Sequence, residues 1–334
     1  MHEAGQEAEA MTFKMHPFVP RFPWWGGLLQ TVATSVRPAP RSFGRHETEP
    51  REFPLRDGTG DRMLGMLDRP QAPVKGVPLV ILLHGMPGDA NARYMIGLSR
   101  FLVDRGYRVL RLNLRGAGPS GTICRRHYSA ASSEDLRHFF EIVPDDLRGD
   151  GMVAVGFSVG GAILLKYLGE QGDIGEPPPL RAACTISAPV DLLGTCRDVM
   201  SPLYRWMLFP EMKRQALRAE LSQRQRENVE ASTTLLELDE RFGGPRRGFK
   251  GAADYYAASS APQYLDRIRV PTLVIAALDD PWVPGGVYAT HLWRGNPCLT
   301  PLLPQHGGHV GFHGTADKQP WCDVAVAKFI ASVR

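Results

Sequence analysis

Residues 156–160 read Gly-Phe-Ser-Val-Gly, a GxSxG pattern flanked by apolar runs at 152–155 and 162–168. The first run has the length of a buried strand and the second is typical of a helix, so the segment predicts a strand, a sharp turn and a helix. Both glycines are needed because a Cβ on either would collide where strand and helix close together. Ser158 is therefore predicted to project outward as a nucleophile, although a glycine-lined turn without chemistry has the same pattern.

Continuous apolar runs elsewhere in the chain predict the rest of a sheet. Such runs, bounded by Pro, Gly or charged residues, are typical of strands buried on both faces of a parallel sheet. Helix-like segments separate them, and one of these starts with a Ser132–Asp135 spacing typical of a capping box. The alternation predicts an α/β fold: a mostly parallel twisted sheet with helices on both faces. Strands are predicted at 78–83, 107–114, 152–155, 181–187, 271–278 and 299–303, after a hairpin that begins at Arg51 and turns at 57–61.

The length of 334 residues suits one large domain with an insertion, predicted at 51–334. About 80 residues separate the strands at 181–187 and 271–278, too many for a loop, and their charged, helix-friendly composition predicts a helical cap at about 192–264. Residues 1–50 predict an irregular arm that packs on the core, and a surface-binding arm is the alternative. Its expected anchors are the aromatic residues Phe18, Phe22, Trp24 and Trp25.

Composition and charge exclude several classes of protein. A net charge of +4, from 39 basic and 35 acidic residues, lacks the concentrated basic surface that nucleic acids require, so no nucleic-acid partner is expected. No apolar run approaches the ~18 residues of a membrane span and no signal peptide is recognisable, so no transmembrane segment is expected. Five scattered cysteines without a CxxC pair fit a cytoplasmic protein, and no metal or other cofactor is expected.

Candidate partners for Ser158 follow the last two predicted strands. A serine hydroxyl needs a base to take its proton and a carboxylate to orient that base. The order nucleophile, acid after a late strand, histidine after the last strand is typical of α/β enzymes with a GxSxG turn. Two adjacent acids follow the strand at 271–278, and three histidines follow the last strand: Asp279 and Asp280, then His306, His309 and His313.

Loop chemistry favours one acid and one histidine. Asp280 begins an Asp-x-x-x-Pro pattern that ends at Pro284 and is usual after that strand, which leaves Asp279 as a turn residue. His309 is favoured because two glycines precede it and let the loop bring its imidazole towards the serine. The other histidines, His306 and His313, stay open as alternatives.

The loop that follows the strand at 78–83 reads His84-Gly85-Met86-Pro87-Gly88. In acyl transfer an oxyanion develops, and backbone N–H groups stabilise it. We assign these donors to Met86, in this loop, and to Val159, directly after the nucleophile. His84 precedes a glycine, which favours an orienting role over that of a second base.

The predicted cap contains a basic stretch at 205–226 with Met and Leu between its Lys and Arg residues. One amphipathic helix here would allow peripheral contact with a lipid surface, whereas the plainer interpretation is a cap helix with one solvated face. In both cases the cap is expected to cover Ser158. Its Met and aromatic residues favour an apolar acyl group.

These motifs together resemble the α/β-hydrolase family, and within it the YheT-like subgroup related to mammalian ABHD hydrolases. The resemblance spans nearly the whole chain. The order of the short motifs from residue 254 onward is more specific than GxSxG, which all serine α/β-hydrolases share. The matching segments are Leu29-Gln30-Thr31, HGMPG at 84–88, NLRGAGPS at 113–120, GFSVGG at 156–161, Asp254-Tyr255-Tyr256, Ser259-Ser260, Asp279-Asp280-Pro281 and GGHVGF at 307–312.

The resemblance implies a catalytic triad of Ser158, Asp280 and His309 and the hydrolysis of carboxylic esters through an acyl-enzyme, as in esterases or acylglycerol lipases. A thioesterase, an amidase or an acyltransferase would use the same residues. A non-catalytic binding protein of the same fold is the alternative from another class. Mammalian relatives carry an N-terminal membrane anchor that is not expected here.

Overall fold

One sheet organises the chain. The computed structural model describes residues 13–36, 46–175, 177–198, 202–289, 293 and 295–333, and eight strands within these ranges form that sheet. The strands are β1 Glu47–Pro54, β2 Arg62–Arg69, β3 Leu79–Leu83, β4 Val109–Asn113, β5 Met152–Phe157, β6 Ala182–Ile186, β7 Thr272–Ile275 and β8 Leu299–Leu302.

The strand order is β1-β2-β4-β3-β5-β6-β7-β8. Strand β2 is antiparallel to β1 and β4, and the pairs from β4 through β8 are parallel, which confirms the predicted mostly parallel sheet. The predicted hairpin is also confirmed, with its first strand starting at Glu47. Leu83 pairs with Gly156, and Ile186 pairs with both Phe157 and Ile275. The loops that follow these strands therefore emerge at one edge of the sheet.

Both faces of the central strands are buried, and β3 shows why its sequence is continuously apolar. Side chains alternate along a strand, so Leu79, Ile81 and Leu83 enter one core while Val80 and Leu82 enter the other. The helices at Ser133–Ile142 and Val159–Ile174 cover the first face, and those at Arg93–Val103 and Trp321–Ser332 cover the second. The prediction of helices on both faces is confirmed.

Helices fill the connections between strands, and six of those described lie between β6 and β7. No helix in the described ranges is both long enough and apolar enough to cross a membrane. The α-helices are α1 Gly27–Val36, α2 Arg93–Val103, α3 Ser133–Ile142, α4 Asp145–Arg148, α5 Val159–Ile174, α6 Leu192–Asp198, α7 Pro202–Met207, α8 Phe209–Leu217, α9 Gln223–Ala231, α10 Leu235–Leu238, α11 Ala252–Ser259, α12 Gly285–Ala289 and α13 Trp321–Ser332. Shorter turns of 3₁₀ or π type lie at Gly118–Thr122, Asp239–Gly243, Pro245–Arg247 and Ala261–Arg267.

The basic stretch at 205–226 is not one helix, so that prediction was wrong. Helix α7 ends at Met207, α8 runs from Phe209 to Leu217, and α9 begins at Gln223 after a capping box formed by Ser222. The capping box marks the start of a separate helix. In it, the Ser222 hydroxyl accepts a hydrogen bond from the backbone N–H of Gln225. The single helix that both interpretations of this stretch assumed is therefore not formed.

The capping box expected at Ser132 is also absent. Ser132 does precede α3, but its hydroxyl accepts a hydrogen bond from the backbone N–H of Ser129 instead of from the helix. Asp135 accepts from the buried guanidinium of Arg115, at 2.9 Å. The sequence spacing of Ser132 and Asp135 could not indicate this ion pair with a residue 20 positions away.

The arm is anchored by some of its aromatic residues. The Phe18 ring makes edge contacts with Phe312 and Trp321, each at 5.9 Å between centroids, and Trp24 lies 6.3 Å from the ring of His313. Phe22 and Trp25 contact each other but stay 72% and 62% exposed, so they are not anchors. Residues 1–12 and 37–45, which complete the predicted arm, lie outside the described residues.

We predict that Asp323 makes the protein less stable as the pH rises. Asp323 lies in the first turn of α13, and burial raises the pKa of its carboxyl to about 7, although it accepts a hydrogen bond from Gln319. The folded protein holds a proton that the unfolded chain releases, so the free energy of unfolding falls between about pH 4 and pH 7. Asp323→Asn should remove on the order of 2 kcal/mol of the loss between pH 5 and pH 8 in urea denaturation.

The exposed Asp317→Asn serves as the matched control for this experiment and should keep the wild-type pH dependence. Equal pH dependence in Asp323→Asn and the wild type would show that the buried carboxyl does not hold the proton.

Candidate active site

Ser158 occupies the sharp turn between β5 and α5. Its φ is 49° and its ψ −124°, a strained conformation for a residue with a side chain. A Cβ on Gly156 would lie 2.6 Å from the carbonyl oxygen of Gly160, and one on Gly160 would lie 2.5 Å from that of His84. The two glycines are thus required by close backbone contacts, and the predicted strand, turn and helix are present. The Ser158 N–H donates to the Ile186 carbonyl at 2.8 Å and ties the turn to the next strand.

The structure brings Ser158, His309 and Asp280 together. His309 Nε2 lies 3.0 Å from Ser158 Oγ, and His309 Nδ1 lies 2.8 Å from Asp280 Oδ2. The other carboxylate oxygen of Asp280 accepts from the N–H groups of Trp282 and Val283, which fixes the carboxylate. A carboxylate accepts from Nδ1–H, so Nε2 is left with the lone pair that can accept the serine proton.

The alternative acid and histidines lie elsewhere. Asp279 Oδ2 is 3.0 Å from His306 Nδ1, and Asp279 Oδ1 accepts from the N–H of Gly308. The side chain of His306 is 55% exposed. His313 lines a separate cavity under α1 and α13. Asp279 and His306 therefore pin the loop that carries His309, and neither they nor His313 line the cavity at Ser158.

Helix α1 of the arm holds the His309 loop, which the sequence did not predict. The His309 N–H donates to Thr31 Oγ1 at 2.8 Å, and the Thr31 hydroxyl donates in turn to the Gly27 carbonyl. The Gln30 side chain accepts from the N–H of His313 at 2.7 Å and donates to its carbonyl at 3.1 Å. A Cβ on Gly27 would overlap the carbonyl oxygen of Asp279, so the helix is in direct backbone contact with the acid loop.

The only sequence signal for this role was the Leu-Gln-Thr segment at 29–31, which marked a resemblance without indicating a function. No periodicity connects Thr31 to a histidine 278 residues further along the chain.

The loop after β3 lies against the turn of Ser158. A Cβ on Gly85 would approach the Cβ of Ser158 to 2.8 Å, and the Gly85 N–H donates to the Tyr94 hydroxyl at 2.9 Å. His84 is buried, and burial lowers its pKa to about 4, so it is neutral at pH 7. Its Nε2 accepts from the Leu114 N–H, and its Nδ1 is 2.8 Å from the Gly85 carbonyl. His84 therefore braces the loop, in line with an orienting role.

The two residues predicted to supply oxyanion donors, Met86 and Val159, line the same cavity as Ser158. Val159 is the first residue of α5, and N–H groups in the first turn of a helix have no acceptor within it. Such an N–H is available to a ligand.

A cavity of about 190 Å³ opens onto Ser158 and His309. Most of its lining surface is apolar, and many of the lining residues belong to the helical segment between β6 and β7. No three His, Cys, Asp or Glu side chains in the described ranges converge in a way that could hold a metal ion. The apolar lining includes Met86, Leu192, Leu208, Phe209, Met212, Leu235, Leu238, Phe242, Trp282 and Val283.

The fold and the order of these residues can be compared with those of known proteins. A family model described as alpha/beta hydrolase fold matches residues 78–314, well over half of the chain. The chain belongs to the α/β-hydrolase family. The solved structure of the Pyrococcus furiosus esterase Pf2001 has a TM-score of 0.59 with this α/β-hydrolase at 16% identity, covering 96% of this chain and 98% of that one, which shows a shared fold.

Curated relatives confirm the resemblance to YheT and ABHD proteins. Phospholipase ABHD3 of Mus musculus is 29% identical over 70% of this chain and 58% of its own length. Medium-chain fatty acid ethyl ester synthase/esterase 2 of Saccharomyces cerevisiae is 29% identical over 76% of this chain and 62% of its own length. YheT of Escherichia coli is 30% identical over 71% of both chains. This α/β-hydrolase thus spans less than two thirds of the length of the first two relatives.

We predict that Thr31→Val loosens the His309 loop. Valine has the shape of threonine without its hydroxyl, so the His309 N–H loses its acceptor in a buried place, which costs about 1–3 kcal/mol. Hydrogen exchange followed by mass spectrometry should show exchange at 307–313 faster by about fivefold or more. Thr31→Ser keeps the hydroxyl and should behave as the wild type; equal exchange in Thr31→Val would contradict the assigned contact.

Proposed function

We propose that this protein hydrolyses carboxylic esters with an apolar acyl group through an acyl-enzyme on Ser158. The observation that carries the proposal is the hydrogen-bonded row of Ser158, His309 and Asp280 beside an apolar cavity. Names of relatives support ester chemistry, since they include a phospholipase and an ethyl ester synthase/esterase. A small-molecule ester is the proposed substrate.

In the proposed acylation step, His309 Nε2 takes the proton of the Ser158 hydroxyl as Oγ attacks the ester carbonyl. The carbonyl becomes a tetrahedral oxyanion, and the imidazolium formed on His309 is stabilised by the carboxylate of Asp280. Collapse of the intermediate breaks the bond to the alcohol oxygen, which receives the proton from Nε2. The alcohol leaves, and the acyl group remains on Ser158.

In deacylation a water molecule takes the place of the alcohol. His309 accepts a proton from the water as its oxygen attacks the acyl carbonyl, and then returns the proton to Ser158 Oγ as that bond breaks. The products are the carboxylic acid and the free hydroxyl. The enzyme ends in the state in which it began.

We assign the oxyanion donors to the backbone N–H groups of Met86 and Val159. Both residues line the cavity at Ser158, and the loop of Met86 is braced by Tyr94 and His84. Preorganised donors matter because they need not reorient when the charge develops; loss of one such donor costs roughly a hundred- to a thousandfold in rate in comparable enzymes.

The helical segment at about 192–264 acts in this proposal as a cap over the acyl group. Its residues Leu208, Phe209 and Met212 line the cavity and offer an apolar wall of adaptable shape.

We also propose a cytoplasmic location. The five cysteines of the described residues are free thiols, which supports a reducing compartment such as the cytoplasm.

Acyl transfer to an alcohol is a second candidate, favoured by the word synthase in the name of the yeast relative. The same acyl-enzyme would then react with an alcohol in place of water. Thioesters and amides would form the same acyl-enzyme by the same steps. Comparing kcat/KM for a panel of esters, thioesters and amides, with water or an alcohol as acceptor, separates these activities.

A fluorophosphonate probe tests the nucleophile. Its phosphorus mimics the attacked carbonyl, so the wild type should be labelled on Ser158 and Ser158→Ala should not be labelled. Ser129→Ala removes another serine of the same cavity and should be labelled like the wild type. Equal labelling of Ser158→Ala and wild type would overturn the proposal, and absence of both labelling and ester turnover would favour a non-catalytic binding protein.

Two adjacent substitutions test the acid. Asp280→Asn should lower kcat for a model ester by about three to four orders of magnitude, because the amide cannot hold the imidazole in the required tautomer. Asp279→Asn changes the neighbouring carboxylate, which pairs with His306 instead, and should change kcat by less than about tenfold. A larger loss in Asp279→Asn than in Asp280→Asn would reassign the acid.

A further inference from the structure

Two adjacent arginines line the cavity that opens onto Ser158. Arg246 and Arg247 lie in the short turn at Pro245–Arg247, between α10 and α11 of the proposed cap. Among the residues the structure describes, no carboxylate oxygen lies within 4.0 Å of either guanidinium. Their charges are therefore not cancelled by direct ion pairs.

Neutral groups hold both side chains in place. Arg247 donates to the carbonyl oxygens of Gly243, His127 and Tyr128, at 2.9–3.0 Å. Arg246 donates to the Glu220 carbonyl at 3.1 Å, and its guanidinium lies 5.6 Å from the ring of Phe242, which also lines the cavity. These partners fix the guanidinium groups without neutralising them, so positive charge is presented next to an apolar wall.

Besides Arg205, the described lining of the cavity contains two arginines, Arg246 and Arg247, and a single acid, Asp239. Burial raises the pKa of Asp239 to about 6, and the carboxyl accepts a hydrogen bond from the Tyr256 hydroxyl. Burial, followed by the charge of Arg247, lowers the pKa of Arg246. Burial and then both arginines lower the pKa of His127 on the same wall, so a further cation is disfavoured there.

We propose that the cavity binds esters whose alcohol-derived half carries an anionic group, a carboxylate or a phosphate, and that Arg246 and Arg247 recognise that group. The inference rests on the proposed function, in which the acyl half is apolar and the alcohol half is the part that can carry charge. A guanidinium suits the oxygens of both anions, and these charge-assisted hydrogen bonds are about twice as strong as neutral ones. An anion without such partners would lose its hydration on entering an apolar cavity.

Matched substrates test the inference through release of decanoate. Decanoylglycerol is neutral, and decanoylglycerol phosphate adds only a phosphate; decanoyl lactate and its methyl ester form the corresponding carboxylate pair. Wild-type kcat/KM should be at least tenfold higher for the anionic member of one or both pairs. Which pair shows the preference identifies phosphate or carboxylate, and the preference should shrink at high salt.

Arg246→Gln should reduce the ratio of anionic to neutral kcat/KM by about tenfold or more, since hydrogen bonds to charged groups are strong. Arg246 is the better position to change, because Arg247 donates to three backbone carbonyls and Arg246 to one. Arg241→Gln, an exposed arginine nearby that does not line the cavity, should keep the wild-type ratio.

Equal kcat/KM within both pairs, or an unchanged ratio in Arg246→Gln, would overturn the anion site while leaving ester hydrolysis intact. Absence of turnover for all four esters and for model esters would instead contradict the proposed function.

Discussion

The close approach of three backbone segments at Ser158 is the constraint on which the site depends. Gly85, Gly156 and Gly160 stand where a Cβ would meet the Ser158 Cβ, the Gly160 carbonyl or the His84 carbonyl. Side chains there would push apart β5, α5 and the loop after β3. Because parallel strands end at one edge of the sheet, the loops that carry Asp280 and His309 reach the same point.

Much of this arrangement could be predicted because its signals are local. The continuous apolar run of β3 indicates burial on both faces, and the GxSxG pattern indicates the turn. The choice of Asp280 over Asp279 and of His309 over His306 rested on loop chemistry, and the structure places the chosen pair within hydrogen-bond distance of each other and of Ser158. Short patterns suffice where the backbone itself decides the geometry.

Other features depend on contacts between distant residues, and no local pattern reports them. Asp135 pairs with the distant Arg115, and the hydroxyl of Ser132 accepts from Ser129 and not from the helix, so the capping box expected at Ser132 does not form. The stretch at 205–226 mixes basic and apolar residues along its length, yet it forms separate helices. These helices pack around a small core that includes Phe209 and Val229. Likewise, only the folded structure shows that no described carboxylate oxygen lies within 4.0 Å of Arg246 or Arg247.

The contact between α1 and the His309 loop decides how much of the chain a fragment must include to keep that loop in place. The match to the family model covers 78–314, whereas α1 is Gly27–Val36. A fragment cut at the family boundary would keep Ser158, Asp280 and His309 and lose Thr31, the acceptor of the His309 N–H. The unit that holds the His309 loop is thus larger than the segment matched by the family model, because α1 lies outside that segment.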